Sequence, residues 1–189
     1  MTIKMMLAFL FLGGGTTLAA DGDMGRSLFA FDQSDAAKQW QTVNDGVMGG
    51  RSDGRFEITE NETLAFFGNL SLENNGGFAS VRSQPRELAL KSGDTILVRL
   101  RGDGRKYFFS LYVPTRRNAF SYRTELPTKK GEWIELKLPL SEFVATSFGE
   151  VVQNQPLDPT QVNGVGFLLA DETAGPFKLE IDRINVESD

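Results

Sequence analysis

Apolar and polar residues alternate with a period of two along this chain, and glycine, proline and asparagine cut the alternation again and again. In 95–101, Ile96, Val98 and Leu100 fall on one side and Leu97, Arg99 and Arg101 on the other. Arg55-Phe56-Glu57-Ile58-Thr59 and Trp133-Ile134-Glu135-Leu136-Lys137-Leu138 alternate just as strictly. Successive side chains of a strand point to opposite faces, so each run is a strand with one apolar face. No stretch sustains a helical period. The turn signals between runs predict about ten short antiparallel strands, built as a β-sandwich or jelly roll. Within that plan, 32–38 is read as one helical turn capped by Ser34. Leu64, Phe66, Leu70 and Leu72 share a parity on the run 64–72, and 144–160 is read as a long loop. Ile181 and Ile184 lie three apart where alternation requires two, which predicts a bulge at Asp182-Arg183. The strands fill 28–186, read as a single domain.

Composition limits the chemistry. The 189 residues contain no cysteine and no histidine. This excludes disulfides, thiol nucleophiles, Ser-His-Asp machinery and the commonest transition-metal ligand sets. Twenty basic residues against 25 acidic give a net charge of −5, which draws the chain neither to nucleic acid nor to an anionic lipid surface. Residues 1–20 have one lysine, a short apolar run and small residues near Ala19-Ala20, the pattern of a signal peptide. The expected location is therefore periplasmic or extracellular, with tethering by an uncleaved N-terminus as the alternative. No later run is apolar and long enough for a transmembrane span.

One segment breaks the alternation most. In Asn44-Asp45-Gly46-Val47-Met48-Gly49-Gly50-Arg51-Ser52 the glycines forbid both a helix and an uninterrupted strand. Asp45-Gly46 and Asp53-Gly54 suit turns with positive φ. Glu73-Asn74-Asn75-Gly76-Gly77 forms a second glycine-rich turn. The motif from Trp40 through Ser52, followed by Phe66-Phe67-Gly68-Asn69-Leu70-Ser71-Leu72 and Asn75-Gly76-Gly77-Phe78-Ala79-Ser80-Val81-Arg82, resembles the complex I intermediate-associated protein 30 family. Arg101-Gly102-Asp103-Gly104-Arg105-Lys106-Tyr107, Leu138-Pro139-Leu140-Ser141-Glu142-Phe143 and Gly164-Val165-Gly166-Phe167-Leu168-Leu169 continue the resemblance in order, over nearly all of 28–186. The resemblance implies a galactose-binding-like β-sandwich, a fold shared with many carbohydrate-binding modules. It also implies a chaperone-like assembly factor for respiratory complex I, without catalysis. The export-like N-terminus departs from that setting, so the fold transfers more directly than the role.

Asn44, Asp45, Met48, Gly49, Gly50 and Ser52 match the first family motif. They read either as a binding loop at the rim of the sandwich or as turn geometry with Met48 in the core; Gly76 and Gly77 form the companion corner. Arg82, Arg99 and Arg101 alternate with apolar residues, as do Tyr112 and Tyr122. If their strands are neighbours, arginines and tyrosines line one face that stacks on sugar rings or takes up carboxylates. The alternative is internal pairing with Asp103, Glu125 or Glu180. Arg101-Gly102-Asp103 is an integrin tripeptide by spelling and a turn by composition. No acid spacing singles out a glycosidase pair. No cofactor is expected; the alternative is a structural calcium, which such sandwiches often hold, and no ligands for it are identifiable. The first reading is a non-catalytic exported module holding a protein partner or assembly intermediate. The alternatives are a carbohydrate-binding module on the Arg/Tyr face, and a histidine-free carboxylate enzyme acting on sugars.

Overall fold

The structure, a computed structural model, describes residues 25–114 and 120–188. Among these, thirteen strands run β1 (Arg26–Phe29), β2 (Trp40–Thr42), β3 (Asp53–Ile58), β4 (Leu64–Leu70), β5 (Ala79–Ser83), β6 (Thr95–Arg101) and β7 (Lys106–Tyr112). They continue with β8 (Ser121–Pro127), β9 (Trp133–Pro139), β10 (Val144–Ser147), β11 (Glu150–Val151), β12 (Gly164–Leu169) and β13 (Gly175–Glu187). A six-stranded sheet has the order β3-β4-β13-β6-β9, with β1 also on β13. A seven-stranded sheet has the order β11-β10-β8-β7-β12-β5-β2. The expectation of an all-β antiparallel sandwich is met, with more strands than the alternation alone resolved.

Alternation places the core where the sequence puts it. Ile96, Val98, Leu100, Phe66, Leu179 and Ile181 point inward from the six-stranded sheet. Val81, Phe109, Leu111, Val165 and Phe167 meet them from the seven-stranded sheet, and all eleven are fully buried. Each large apolar side chain so buried contributes roughly 1.5–3 kcal/mol. Trp40 closes one end of this core, its ring 5.0 Å from Phe29 and 6.3 Å from Phe167. The predicted bulge is present: the register of β13 against β6 shifts between Ile181 and Arg183. The extra residue lets both Ile181 and Ile184 point inward, where both are buried.

Three local expectations are corrected. The stretch 144–160 is not a plain loop, because β10 and β11 form a hairpin across Phe148-Gly149, both at positive φ. Its alternation was hidden because Val144 and Val151 are exposed and only Ala145 faces the core. Leu72 does not follow Leu70 inward. The chain leaves β4 after Leu70 and enters a 3-10 turn at Glu73–Asn75, which leaves Leu72 exposed. The turn expected at 32–38 lies at Ala36–Gln39, after Asp35 rather than Ser34, without a side-chain cap. The proposed signal segment 1–20 lies outside the described residues.

Candidate functional site

Both glycine-rich corners lie at one end of the sandwich, where β2 leads into β3 and β4 into β5, and one carboxylate ties them together. Asp45 is 0% exposed. Its Oδ1 accepts the Ser52 N–H at 2.9 Å. Its Oδ2 accepts the Ser52 hydroxyl at 2.5 Å, the Gly77 N–H at 2.7 Å and the Phe78 N–H at 3.3 Å. Burial pushes the Asp45 pKa up, but the Ser52 hydroxyl and the three backbone donors outweigh it and hold it below the ordinary value. Gly50 and Gly76 line this carboxylate so closely that a Cβ on either would run into it. Asn44 Nδ2 donates to the Gly54 carbonyl at 2.9 Å, and Asn74 Nδ2 to the Gly49 carbonyl at 3.3 Å. Asn44, Asp45, Gly50, Ser52, Gly76 and Gly77 therefore build the corner, and its polar groups bond one another except the buried Asn44 Oδ1, which has no hydrogen-bond partner. Gly49 ends the short 3-10 turn Asp45–Met48 at φ 91°. Only the tip is open: Met48 is 52% exposed, so it is not tucked into the core.

The arginines and tyrosines do not share one face, which corrects that part of the sequence reading. Arg99 and Arg101 lie on β6 in the six-stranded sheet, and Arg82 lies on β5 in the other. On the outer face of the six-stranded sheet, Arg101 Nη2 lies 2.6 Å from Glu180 Oε2 and Arg99 Nη1 lies 3.1 Å from Asp182 Oδ2. Both guanidinium groups also sit over the Trp133 ring, at 4.9 and 4.8 Å. Arg183 pairs with Asp182 and Glu135. Burial pushes Glu180 up, but bonds from Arg101 and the Thr63 hydroxyl hold its carboxyl below its ordinary value. This face is closed by its own acids.

Asp103 is also structural. Its Oδ1 accepts the Arg105 N–H, and its Oδ2 accepts the Tyr107 hydroxyl at 3.1 Å and the Lys178 N–H at 2.9 Å. Burial, reinforced by Asp103, pushes the Tyr107 hydroxyl pKa far up, so it stays protonated as the donor. Tyr122 points inward from β8 and is 4% exposed, its hydroxyl donating to the Pro156 carbonyl at 3.1 Å. It leaves the predicted face because β8 pairs with β7 through Leu111↔Tyr122, and Leu111 is a core residue.

The outer face of the seven-stranded sheet is different. One cross-strand row runs Gln41, Arg82, Gly166, Ser110, Arg123 and Val144. Arg82 Nε donates to Ser80 Oγ at 3.1 Å, and Arg123 Nε donates to Ser121 Oγ at 3.0 Å. Among the described residues neither arginine has an ion-pair partner. Tyr112 shares this face. A Cβ on Gly166 would lie 3.0 Å from Tyr112 Cε2, so the ring lies close over Gly166, and Arg82 Cζ sits 5.0 Å from its centroid. Ser110 is 0% exposed and its Oγ has no hydrogen-bond partner. Burial pushes the Arg123 pKa below its ordinary value; Tyr112 opposes this and Arg82 adds to it. Nearby Glu125 is held by Lys106 at 2.8 Å. Arg123 escaped the sequence reading, although a signal was present: Ser80-Val81-Arg82 and Ser121-Tyr122-Arg123 repeat one Ser-x-Arg pattern with a buried middle residue. No group of three acidic side chains able to hold a metal ion occurs among the described residues.

The model of the family described as complex I intermediate-associated protein 30 matches residues 29–181. "Complex I intermediate-associated protein 30, mitochondrial" of Mus musculus is 28% identical over 190 residues, covering 88% of this chain and 57% of that protein. The Drosophila melanogaster protein of the same name is 27% identical over 185 residues, covering 86% of this chain and 62% of its own length. The chain thus spans little more than half the length of these curated relatives. They are named as mitochondrial, which overturns the expectation of a periplasmic or extracellular protein. That expectation rested on the charge and apolar pattern of twenty residues, a weaker signal than similarity along the folded chain. Among solved structures, the family 11 carbohydrate-binding module of Clostridium thermocellum, in complex with a β-1,3-1,4-mixed-linked tetrasaccharide, superposes with a TM-score of 0.67. It is 12% identical and covers 86% of this chain and 95% of that one, which shows the fold alone.

Proposed function

The chain belongs to the family of complex I intermediate-associated protein 30, and from that premise we propose that it is a non-catalytic binding module holding an assembly intermediate of respiratory complex I. The observation that carries the reading is the outer face of the seven-stranded sheet. It presents Arg82 and Arg123 without an acid partner among the described residues, next to exposed Val144 and Val151. Unpaired, half-buried charge beside apolar surface is what a protein interface completes on docking. The conspicuous acids of the motifs are spent on the fold: Asp45 and Asp103 accept backbone donors, and Glu180 accepts from Arg101 and Thr63. None of them is left free to act as an acid or base.

The carbohydrate reading rests on aromatic stacking. Tyr122 lies in the core, and Tyr112 lies over Gly166 with Arg82 beside its ring, so neither of the tyrosines that reading named stands free for a sugar. Native-gel separation of respiratory membranes from cells carrying a tagged chain tests the proposal. The tagged chain is expected to migrate with partial assemblies of complex I and not with the mature complex. Partial assemblies should accumulate differently when the chain is removed. Migration with no complex I subunit, or saturable binding on a glycan panel instead, would overturn it.

A further inference from the structure

The two arginines of the open face are built alike. Each follows a serine by two positions on its own strand and gives its Nε to that serine's hydroxyl, at 3.1 Å for Arg82 and 3.0 Å for Arg123. This fixes each guanidinium by its inner nitrogen, which takes up the side-on edge, and leaves the two terminal nitrogens, the pair that grips a carboxylate end-on, without a hydrogen-bond partner among the described residues. The strands carrying them straddle the central pair β12 and β7, with Gly166 and Ser110 between them in the row. At about 4.8 Å per strand the two Cα atoms lie roughly 14 Å apart. The Arg82 guanidinium leans back across that gap onto Tyr112, whose ring lies over Gly166. The missing Cβ of Gly166 makes room for it.

Three features of the row are unsatisfied together: two half-buried guanidinium groups without acids and one fully buried hydroxyl without a hydrogen bond. Taking charge out of water without a counter-ion is unfavourable; the half-buried Arg99, Arg101, Arg105 and Arg183 are each paired with an acid, and Arg26 and Arg86, which bond carbonyl and amide oxygens instead, lie on the exposed surface. The next two strands outward, β10 and β11, add Val144 at 47% and Val151 at 55% exposure on the side of Arg123. A partner for this surface supplies negative charge to the centre and apolar side chains to the rim. The chain's net charge of −5 disfavours a polyanion such as nucleic acid, so the counter-charge suits isolated carboxylates.

We propose that the row Arg82–Gly166–Ser110–Arg123 is the docking site for an acidic, partly apolar segment of a protein partner, its aspartate or glutamate carboxylates held by the terminal nitrogens of Arg82 and Arg123. The inference rests on the protein-binding reading above and names the chemistry of that partner. Two guanidinium forks and an apolar rim distinguish such a segment from a basic or purely apolar one.

The probe is a fluorescein-labelled peptide alternating glutamate with leucine and valine, titrated into the full chain and followed by anisotropy. The same peptide with glutamine in place of glutamate, inorganic phosphate and a short single-stranded DNA are the comparisons. The glutamate peptide is expected to bind, weakening with added salt. Arg82→Ala and Arg123→Ala should each weaken it about tenfold or more, while Lys137→Ala on the other sheet leaves it unchanged. Arg82→Lys and Arg123→Lys keep the charge and lose the fork, so they should fall between. Should a variant fail to fold, the wild-type arginine Nε–H resonances supply the readout. Those of Arg82 and Arg123 should shift with the glutamate peptide and not with the glutamine one. Equal binding of the glutamine peptide, preference for phosphate or DNA, or indifference to the double alanine variant would overturn the site. A double variant that still migrates with complex I intermediates sinks this inference and spares the protein-binding reading; a wild-type chain that migrates with none sinks that reading instead.

Discussion

The two outer faces of the sandwich use arginine in opposite ways. On the six-stranded sheet, Arg99 and Arg101 stand in register with Glu135, Glu180 and Trp133 on the flanking strands. Each cation meets an acid and an aromatic face within the same layer. On the seven-stranded sheet, the cross-strand neighbours of Arg82 and Arg123 are Gln41, Gly166, Ser110 and Val144, none of which is an acid. A charged layer that closes on itself is part of the fold. One that its own strands leave open is suited to a partner. The Asp45 corner belongs with the closed face despite its conspicuous sequence, because its carboxylate is spent on Ser52, Gly77 and Phe78.

This contrast can be broken by measurement. The largest effect is expected at the corner, where Asp45→Ala strips a buried acceptor from one hydroxyl and three backbone N–H groups. Chemical denaturation should show a loss of about 4 kcal/mol; a loss under about 1 would mean the corner is not closed. Next, Glu180→Ala leaves Arg101 and the Thr63 hydroxyl without their acceptor, for an expected loss of about 3 kcal/mol. Acid should act on the same face. The folded pKa of Glu180 lies below its ordinary 4.5, so its contribution is complete above that pH and is lost as pH falls through the lower folded value. Glu180→Gln should flatten the acid limb of stability against pH, and Arg82→Ala should leave its slope unchanged, since no acid faces it.

On the open face the sign reverses. Arg123→Leu removes a half-buried cation with no counter-charge, so the unliganded chain should be unchanged or more stable by about 1 kcal/mol. A loss of more than about 2 would reveal an internal partner and erase the distinction between the faces. Smallest of all, Lys106→Met breaks a solvent-exposed pair with Glu125 and should move stability by less than about 0.5 kcal/mol.

Much of this was legible beforehand. The inward sets Ile96, Val98, Leu100 and Ala79, Val81 follow from parity, and the bulge follows from the spacing of Ile181 and Ile184. The β10–β11 hairpin was missed because its valines face outward, so no apolar stripe marked it. Tyr122 faces the core and not the outer face, and the sequence does not show it, because the register that sets the relative parity of β7 and β8 cannot be read from either strand alone. Arg101 and Arg82 look equivalent in the sequence, yet one meets Glu180 from 79 positions away and the other meets no acid among the described residues.

The sequence by itself determined which residues share a face within a strictly alternating strand, because side-chain direction along a strand is a local property of the backbone. It also determined, by composition, that histidine and thiol chemistry are absent. Only the tertiary structure decided which outward arginines are neutralised and which remain available. Pairing joins strands distant in sequence, and a charge one strand spacing from an acid has its counter-ion, whereas one flanked by glycine and serine has none on its neighbouring strands.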